Sequence, residues 1–356
     1  MDKNIYHIDM QSDVKKDILK RLAQTTIKKG IEATPYVLIE MLYGKIFGRK
    51  TISEPIKRFE DDDFPLLKKE VIKFNSSGNL LQGYLYHYEK YNHKKMVIFA
   101  HGFGNGHHRY LEIINYLAKA GFQVFSYDAT SFDESEGEGI KGFPQGVVDV
   151  ISAIQYIKII GYKEEDIILV GHSWGAYSIG AAINEFPHIS KVVAIAGFNN
   201  SIELLIQHGT EWAGDKIKEQ IPVMEEYEHK YFGKYADYSV VDGIKKSTTE
   251  YFFIHSKDDE TVPISIGLDL YIKEAENNPR VKYLIFDDRS HVCYTTNEGN
   301  EYFYQLKQEY NKYIKNKDEV SWEDKKHLFD LIVDKDKYLN MLDYSLMDEI
   351  IEFIKK

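Results

Sequence analysis

The chain has 356 residues and a single cysteine, Cys293, so it cannot form an intramolecular disulfide, which fits a reducing compartment. It has no apolar run near the ~20 residues that a membrane-spanning helix needs, and no apolar core of a secretory signal at its start. It also lacks an excess of basic residues, with 45 Lys and Arg against 56 Asp and Glu. Because nucleic acid binding requires a basic surface, we expect no nucleic acid partner. These absences predict a cytoplasmic globular protein.

The first 70 residues contain two segments with apolar residues at helical spacing, 14–22 and 36–46. The apolar stretch 36–47 could touch a membrane surface or the mouth of a substrate site. A helix docked on the rest of the chain explains it as well, and we favour that interpretation. An acidic run at 60–63, followed by Pro65, indicates a boundary. We therefore predict a helical N-terminal extension over 1–70.

From residue 71 onwards, strand patterns alternate with helix patterns. The predicted strands are 71–74, 80–88, Met96–Ala100, 122–127, 167–170, 192–196, 251–254 and Val281–Phe286. The predicted helices are 109–120, 147–160, 266–275 and 346–354. This alternation predicts an α/β domain over 71–356, with a mostly parallel central sheet and helices on both faces. An aromatic-rich stretch, 199–247, predicts a cap insertion, and 299–341 predicts a helical insertion near the C-terminus.

The strand at 167–170 leads directly into Gly171-His172-Ser173-Trp174-Gly175, and a helix pattern rich in small residues follows. Gly-x-Ser-x-Gly between a strand and a helix is typical of a nucleophile elbow, which holds a serine hydroxyl at the edge of the sheet. Glycine suits the positions two residues before and after the serine, because the strained turn leaves little room for side chains. Ser173 is therefore the candidate nucleophile.

A glycine-rich turn at 101–106, HGFGNG, follows the strand Met96–Ala100. Because parallel strands end at a common edge of the sheet, we expect this turn close to the candidate nucleophile. The backbone amides of Phe103 and Trp174 would then form an oxyanion hole. Three histidines lie in or beside this turn and could indicate a metal site. Because no carboxylate or cysteine lies at a fitting spacing, we expect no metal.

Two later loops supply an acid and a histidine. Residues 255–263, HSKDDETVP, carry three adjacent acids at 258–260, and the chemistry leaves the choice among them open. The loop after Val281–Phe286 carries His291, a candidate general base. A serine, an acid and a histidine in this chain order, each after a strand, is the order of the catalytic triad on the α/β-hydrolase fold.

With HGFG at 101–104, GHSWG at 171–175 and SH at 290–291, the sequence resembles the α/β-hydrolase superfamily. It is most similar to serine esterases and lipases of the bacterial esterase and acylaminoacyl-peptidase-like branch. The resemblance covers roughly 71–298 and the last helix, and it implies the α/β-hydrolase fold. In that family the acid loop reads His-Gly-x-x-Asp-x-x-Val-Pro, which implies that Asp259 is the triad acid. Ser256 stands where the family has glycine.

The resemblance implies hydrolysis of a carboxylic ester through an acyl-enzyme on Ser173, with His291 as the base and Asp259 orienting it. The reaction needs no cofactor, and the expected partner is a small-molecule ester. A serine peptidase or amidase, a thioesterase or an acyltransferase could use the same triad. A non-catalytic ligand-binding protein on this fold is less favoured, because all three triad positions are filled. Acyl length and oligomeric state stay open.

Overall fold

The structure, a computed structural model, describes residues 35–315 and 320–356, so the predicted helix at 14–22 lies outside the described residues. The described chain forms an eight-stranded sheet in the order β1-β2-β4-β3-β5-β6-β7-β8. The strands are β1 (Lys68–Ser76), β2 (Asn79–His87), β3 (Met96–Ala100), β4 (Gln123–Tyr127), β5 (Ile167–His172), β6 (Lys191–Ile195), β7 (Glu250–Ser256) and β8 (Val281–Phe286). β2 pairs antiparallel with both β1 and β4, and the other pairings are parallel. The predicted mostly parallel sheet is confirmed.

The helices of the described chain occupy the connections between strands and the two predicted insertions. They are α1 (Pro35–Ile46), α2 (Leu111–Lys119), α3 (Pro144–Ile159), α4 (Trp174–Ala182), α5 (Ser201–Ala213), α6 (Ile221–Phe232), α7 (Val240–Lys246), α8 (Leu268–Glu274), α9 (Asn297–Ile314), α10 (Trp322–Ile332), α11 (Lys335–Tyr338) and α12 (Tyr344–Lys355). Over the described residues, none of these helices combines the length and the apolar character needed to cross a membrane.

Side chains of the sheet alternate between two apolar cores, one on each face. In β3, Ile98 packs into the core that contains α3 and α4, whereas Val97 and Phe99 pack into the core that contains α2 and α12. Every residue of β3 is buried, because helices cover both faces of a parallel sheet. The centre of the sheet is therefore enclosed on both faces, and its carboxyl edge is the place where side chains can meet a ligand.

The prediction of a helical extension over 1–70 is wrong for residues 47–67. Instead of α-helix, this segment contains two single-turn 3₁₀ helices, Pro55–Lys57 and Asp61–Asp63, and isolated bridges. Pro55 has no N–H to continue a helix, and the Asp63 carboxylate accepts a hydrogen bond from the Glu60 amide at 2.9 Å, which closes a local turn instead. The segment then joins β1.

Helix α1 packs on the rest of the chain, as favoured above. It buries Ile39 and Tyr43, and the Tyr43 ring lies 4.5 Å, centre to centre, from the ring of Tyr227 on α6. Leu38 is the exception, at 41% exposure. The stretch 199–247 contains α5, α6 and α7, and 299–341 contains α10, α11 and most of α9. Residues of α1 and of the 299–341 insertion thus belong to the two apolar cores of the domain.

Candidate active site

Ser173 lies in a tight turn between β5 and α4, with φ of 57° and ψ of −121°. A non-glycine residue rarely adopts positive φ, so packing must hold this conformation. The close approach of backbones explains the flanking glycines: a Cβ at Gly175 would lie 2.1 Å from the carbonyl oxygen of Ala100, and one at Gly171 would lie 2.7 Å from Gly175. The Ser173 amide donates to the Ile195 carbonyl at 2.8 Å. The turn is therefore fixed to two neighbouring strands.

The structure brings the predicted serine, histidine and acid together. His291 Nε2 lies 2.9 Å from Ser173 Oγ, and His291 Nδ1 lies 2.8 Å from Asp259 Oδ2. An ionised carboxylate only accepts hydrogen bonds, so Nδ1 carries the proton and Nε2 is left to accept from the serine hydroxyl. This is the tautomer that a general base needs.

Asp259 is held in its ionised form. The amides of Thr261 and Val262 donate to Asp259 Oδ1 at 2.9 and 2.8 Å, and the carboxylate is buried. Burial alone would raise the pKa of Asp259, but the facing rings of His291 and His255 outweigh it and hold the pKa below its ordinary value. The group is therefore a carboxylate at neutral pH.

The neighbouring Asp258 faces away from the histidine ring. Its Oδ1 accepts from the hydroxyl of Ser256 at 2.6 Å and from the amide of Ser290 at 2.8 Å. The Ser256 hydroxyl oxygen also accepts from the amide of Arg289 at 2.9 Å. Ser256, which stands where the family has glycine, thus joins the loop of Asp259 to the loop of His291. The sequence did not reveal this role.

The amides of Phe103 and Trp174 stand at the same edge of the sheet as Ser173, because Phe103 follows β3 and Trp174 begins α4. Neither amide donates a hydrogen bond to any described residue. The preceding amide, that of Gly102, is already bound to the hydroxyl of Tyr110 at 3.1 Å. Both amides are therefore available to a ligand, as the predicted oxyanion hole requires.

Tyr110 and His172 were not predicted from the sequence. They connect the glycine-rich turn at 101–106 to His291. The Tyr110 oxygen lies 3.0 Å from His172 Nδ1, and His172 Nε2 lies 2.9 Å from the carbonyl oxygen of His291. Since that carbonyl only accepts, Nε2 of His172 carries the proton, and Nδ1 accepts from the tyrosine. Burial, aided by His291, lowers the pKa of His172 to about 3, so its ring is neutral. The only feature of the sequence that pointed to His172 was its position between Gly171 and Ser173.

The histidines around the glycine-rich turn hold loops in place. His107 Nδ1 lies 2.7 Å from Asp128 Oδ1, and His101 Nε2 accepts from the Ala129 amide at 3.0 Å. Both rings are buried, and burial lowers the pKa of each. Over residues 35–315 and 320–356, no three His, Cys, Asp or Glu side chains are grouped to hold a metal ion. Cys293 is buried as well, which raises the pKa of its thiol.

A cavity of about 420 Å³ opens onto Ser173 and His291. Its apolar lining includes Ile46, Phe103, Phe143, Phe198, Leu204, Val262, Val292 and Phe303. Ile46 belongs to α1, Leu204 to α5 and Phe303 to α9, so the N-terminal segment, the cap insertion and the C-terminal insertion each contribute to the walls. A volume of this size matches a small organic ligand.

Comparison with known proteins supports the assignment of the fold. Residues 91–237 match the family model described as Serine aminopeptidase, S33. An esterase of Pyrococcus furiosus superposes with a TM-score of 0.53 at 16% identity, covering 74% of this chain and 97% of that one. With this sheet order and the serine turn after β5, the chain has the α/β-hydrolase fold.

Two curated relatives match a shorter region. A monoglyceride lipase of Rattus norvegicus is 31% identical over 106 residues, which are 29% of this chain and 35% of that protein. An uncharacterized protein of Caenorhabditis elegans is 27% identical over 107 residues, 29% of this chain and 21% of that protein. The chain thus spans about a third or less of the length of these relatives.

Proposed function

We propose that this protein is a carboxylic-ester hydrolase that works through an acyl-enzyme on Ser173. The observation that carries the proposal is the unbroken hydrogen-bonded series from Ser173 through His291 to Asp259, whose serine and histidine line a cavity. The names of the similar proteins, an esterase and a monoglyceride lipase, support an ester as the substrate. The expected substrate is a small molecule, the reaction needs no cofactor, and the single cysteine favours a cytoplasmic site of action.

In the proposed mechanism, His291 Nε2 takes the hydroxyl proton as Ser173 Oγ attacks the ester carbonyl. The carbonyl oxygen becomes negative and accepts hydrogen bonds from the amides of Phe103 and Trp174. The imidazolium of His291, stabilised by Asp259, then gives its proton to the departing alcohol. Water, activated by the same histidine, attacks the acyl-enzyme and releases the acid.

A serine aminopeptidase, the activity in the name of the family model, is the second candidate. Such an enzyme must bind the ammonium group of a free N-terminus, for which a carboxylate in the pocket is the natural partner. Among the described residues that line the cavity, none is Asp or Glu. The lining therefore favours an ester without a positive charge over a peptide with a free N-terminus.

Hydrolysis of p-nitrophenyl butyrate by the wild type and by Ser173→Ala tests the proposal. We expect the replacement to lower kcat by about 10⁶-fold, because no other group can form the acyl-enzyme. Ser345→Ala, an exposed serine on α12, serves as the matched control and should keep full activity. Turnover by Ser173→Ala at the wild-type rate would overturn the proposal.

A further inference from the structure

Positive side chains gather around the cavity although the chain as a whole is acidic. The lining contains five cationic residues and, within the described part of the chain, no Asp or Glu. The whole sequence has 56 acidic and 45 basic residues, so the positive charge of the lining is opposite in sign to the net charge of the chain. The five are Lys45, Lys50, Lys57, Arg109 and Lys307.

Most of this charge comes from outside the region that resembles known hydrolases. Lys45 ends α1, Lys50 and Lys57 lie in the segment that follows, and Lys307 is on α9. Lys57 is paired with Glu54 at 2.8 Å, and buried Arg109 stands over the ring of Phe303 at 4.4 Å. The segments added to the common fold therefore make the cavity basic.

Lys50 is the best-placed of these cations. Its amide donates to the Ser131 carbonyl at 2.9 Å, and its own carbonyl accepts from the Asp133 amide at 3.0 Å, which fixes the backbone. Its Nζ stands 5.4 Å from the ring centre of Phe103, the residue whose amide is assigned to the oxyanion hole. The side chain is half-buried and forms no ion pair with any carboxylate among the described residues.

A half-buried ammonium without a counter-ion is costly, because burial removes water and no anion replaces it. Consistent with this cost, burial lowers the pKa of Lys50. A bound anion would supply the partner that the described residues do not provide, and a cleft lined by one sign of charge also concentrates ligands of the opposite sign. The same cavity has an apolar side formed by Phe143, Phe198 and Leu204, which suits a hydrocarbon chain.

We propose that the substrate is an ester that carries a carboxylate or a phosphate, and that Lys50 binds this anionic group at the cavity wall beside Phe103. The inference rests on the proposed ester hydrolysis and specifies its substrate class. The anionic group belongs either to the acyl part or to the alcohol part of the ester. Lys45 adds to the positive potential without needing direct contact, whereas Glu54 offsets the charge of Lys57.

Two pairs of esters, each differing by one anionic group, separate these cases. For the acyl part, mono-p-nitrophenyl succinate is compared with p-nitrophenyl butyrate, since its carboxylate replaces the terminal methyl group. For the alcohol part, a monoacylglycerol phosphate is compared with the monoacylglycerol of the same acyl chain. We expect the anionic ester of at least one pair to have a kcat/KM about tenfold higher, mainly through a lower KM. This preference should shrink as salt is added.

Variants of Lys50 then test the residue. Lys50→Met keeps the aliphatic stem and should reduce the ratio of anionic to neutral kcat/KM about tenfold, whereas Lys50→Arg should restore most of it. Lys73→Met, an exposed lysine on β1, is the matched control and should leave the ratio unchanged.

Equal or better turnover of the neutral ester in both pairs would overturn the inference, and so would an unchanged ratio in a folded Lys50→Met protein. If that variant does not fold, the ratio of anionic to neutral kcat/KM in the wild type, and its dependence on salt, still tests whether the substrate is anionic. Failure of the proposed ester hydrolysis can be distinguished from failure of this inference. In that case no ester is hydrolysed, and Ser173 does not react with a fluorophosphonate.

Discussion

Asp258 and Asp259 are neighbours in the chain, but their carboxylates face different groups. Asp259 contacts the ring of His291, whereas Asp258 binds the Ser290 amide and the Ser256 hydroxyl. The first contact sets the tautomer of the base, and the second only shapes the loop that carries it. The family's loop spacing pointed to Asp259, but nothing in the sequence showed what Asp258 would bind.

Replacing each aspartate by asparagine should separate these roles. Asp259→Asn should lower kcat on p-nitrophenyl butyrate by about 10⁴-fold, because an amide can donate to His291 Nδ1 and so stabilise the wrong tautomer. Asp258→Asn should lower kcat by only about tenfold, since the acid, the base and the nucleophile stay in place. The reverse order would show that Asp258 is the triad acid.

Tyr110 supports the site without reaching the reacting atoms. Its hydroxyl oxygen accepts from the Gly102 amide and its proton goes to His172, so its loss leaves two buried polar groups unpaired. Tyr110→Phe should lower kcat about tenfold and leave KM nearly unchanged, because the ring that lines the cavity is kept and only the hydroxyl that holds Gly102 and His172 is lost. Tyr86→Phe controls for losing a buried hydroxyl, since Tyr86 Oη has no partner among the described residues. An equal loss in both variants would contradict this role.

Among the larger elements, helix α6 brings a buried acid into the contact between the cap and the N-terminal segment. Glu228 is fully buried, and its Oε1 accepts from the Ser201 hydroxyl at 2.5 Å. Tyr227, the preceding residue on α6, packs against Tyr43 of α1. Burial raises the pKa of Glu228 from 4.5 to about 8, so the folded protein holds this proton at neutral pH.

This proton makes the stability of the fold depend on pH. Between about pH 4.5 and pH 8 the folded state keeps the proton of Glu228, whereas the unfolded chain has released it. The free energy of unfolding therefore falls as pH rises through this window, by at most about 1.4 kcal/mol per unit. Glu228→Gln removes this contribution, so its stability relative to the wild type should increase from pH 5 to pH 8.

Urea unfolding of the two proteins at pH 5, 6.5 and 8 measures the effect. Glu226→Gln is the matched control, because Glu226 is exposed on the same helix and should show no such trend. A constant difference between Glu228→Gln and the wild type across these pH values would contradict a protonated Glu228.

The strands were predictable because the parallel ones are buried on both faces and appear as continuous apolar runs, such as MVIFA in β3. Residues 47–67 were not, because their turns depend on local side-chain hydrogen bonds and on bridges such as Lys50 to Phe132, far apart in the chain. Periodicity carries no information about such pairings.

On the scale of the whole molecule, the clustering of the candidate site residues was predictable and the cavity was not. Ser173, His291 and the oxyanion turn each follow a strand, and parallel strands bring their ends to one edge. The walls instead come from α1, α5 and α9, which lie far apart in the sequence and meet only in the folded chain. The basic character of the lining was therefore hidden within an acidic sequence.

The central claim is that Ser173 is the nucleophile that forms the acyl-enzyme. Its most direct test is to treat the purified protein with a fluorophosphonate and to locate the adduct by peptide mass spectrometry. We predict one adduct per chain, on Ser173, formed at least 100-fold more slowly in Asp259→Asn because the base is then misaligned. An adduct on another residue, or an active ester hydrolase that carries no adduct, would contradict the account.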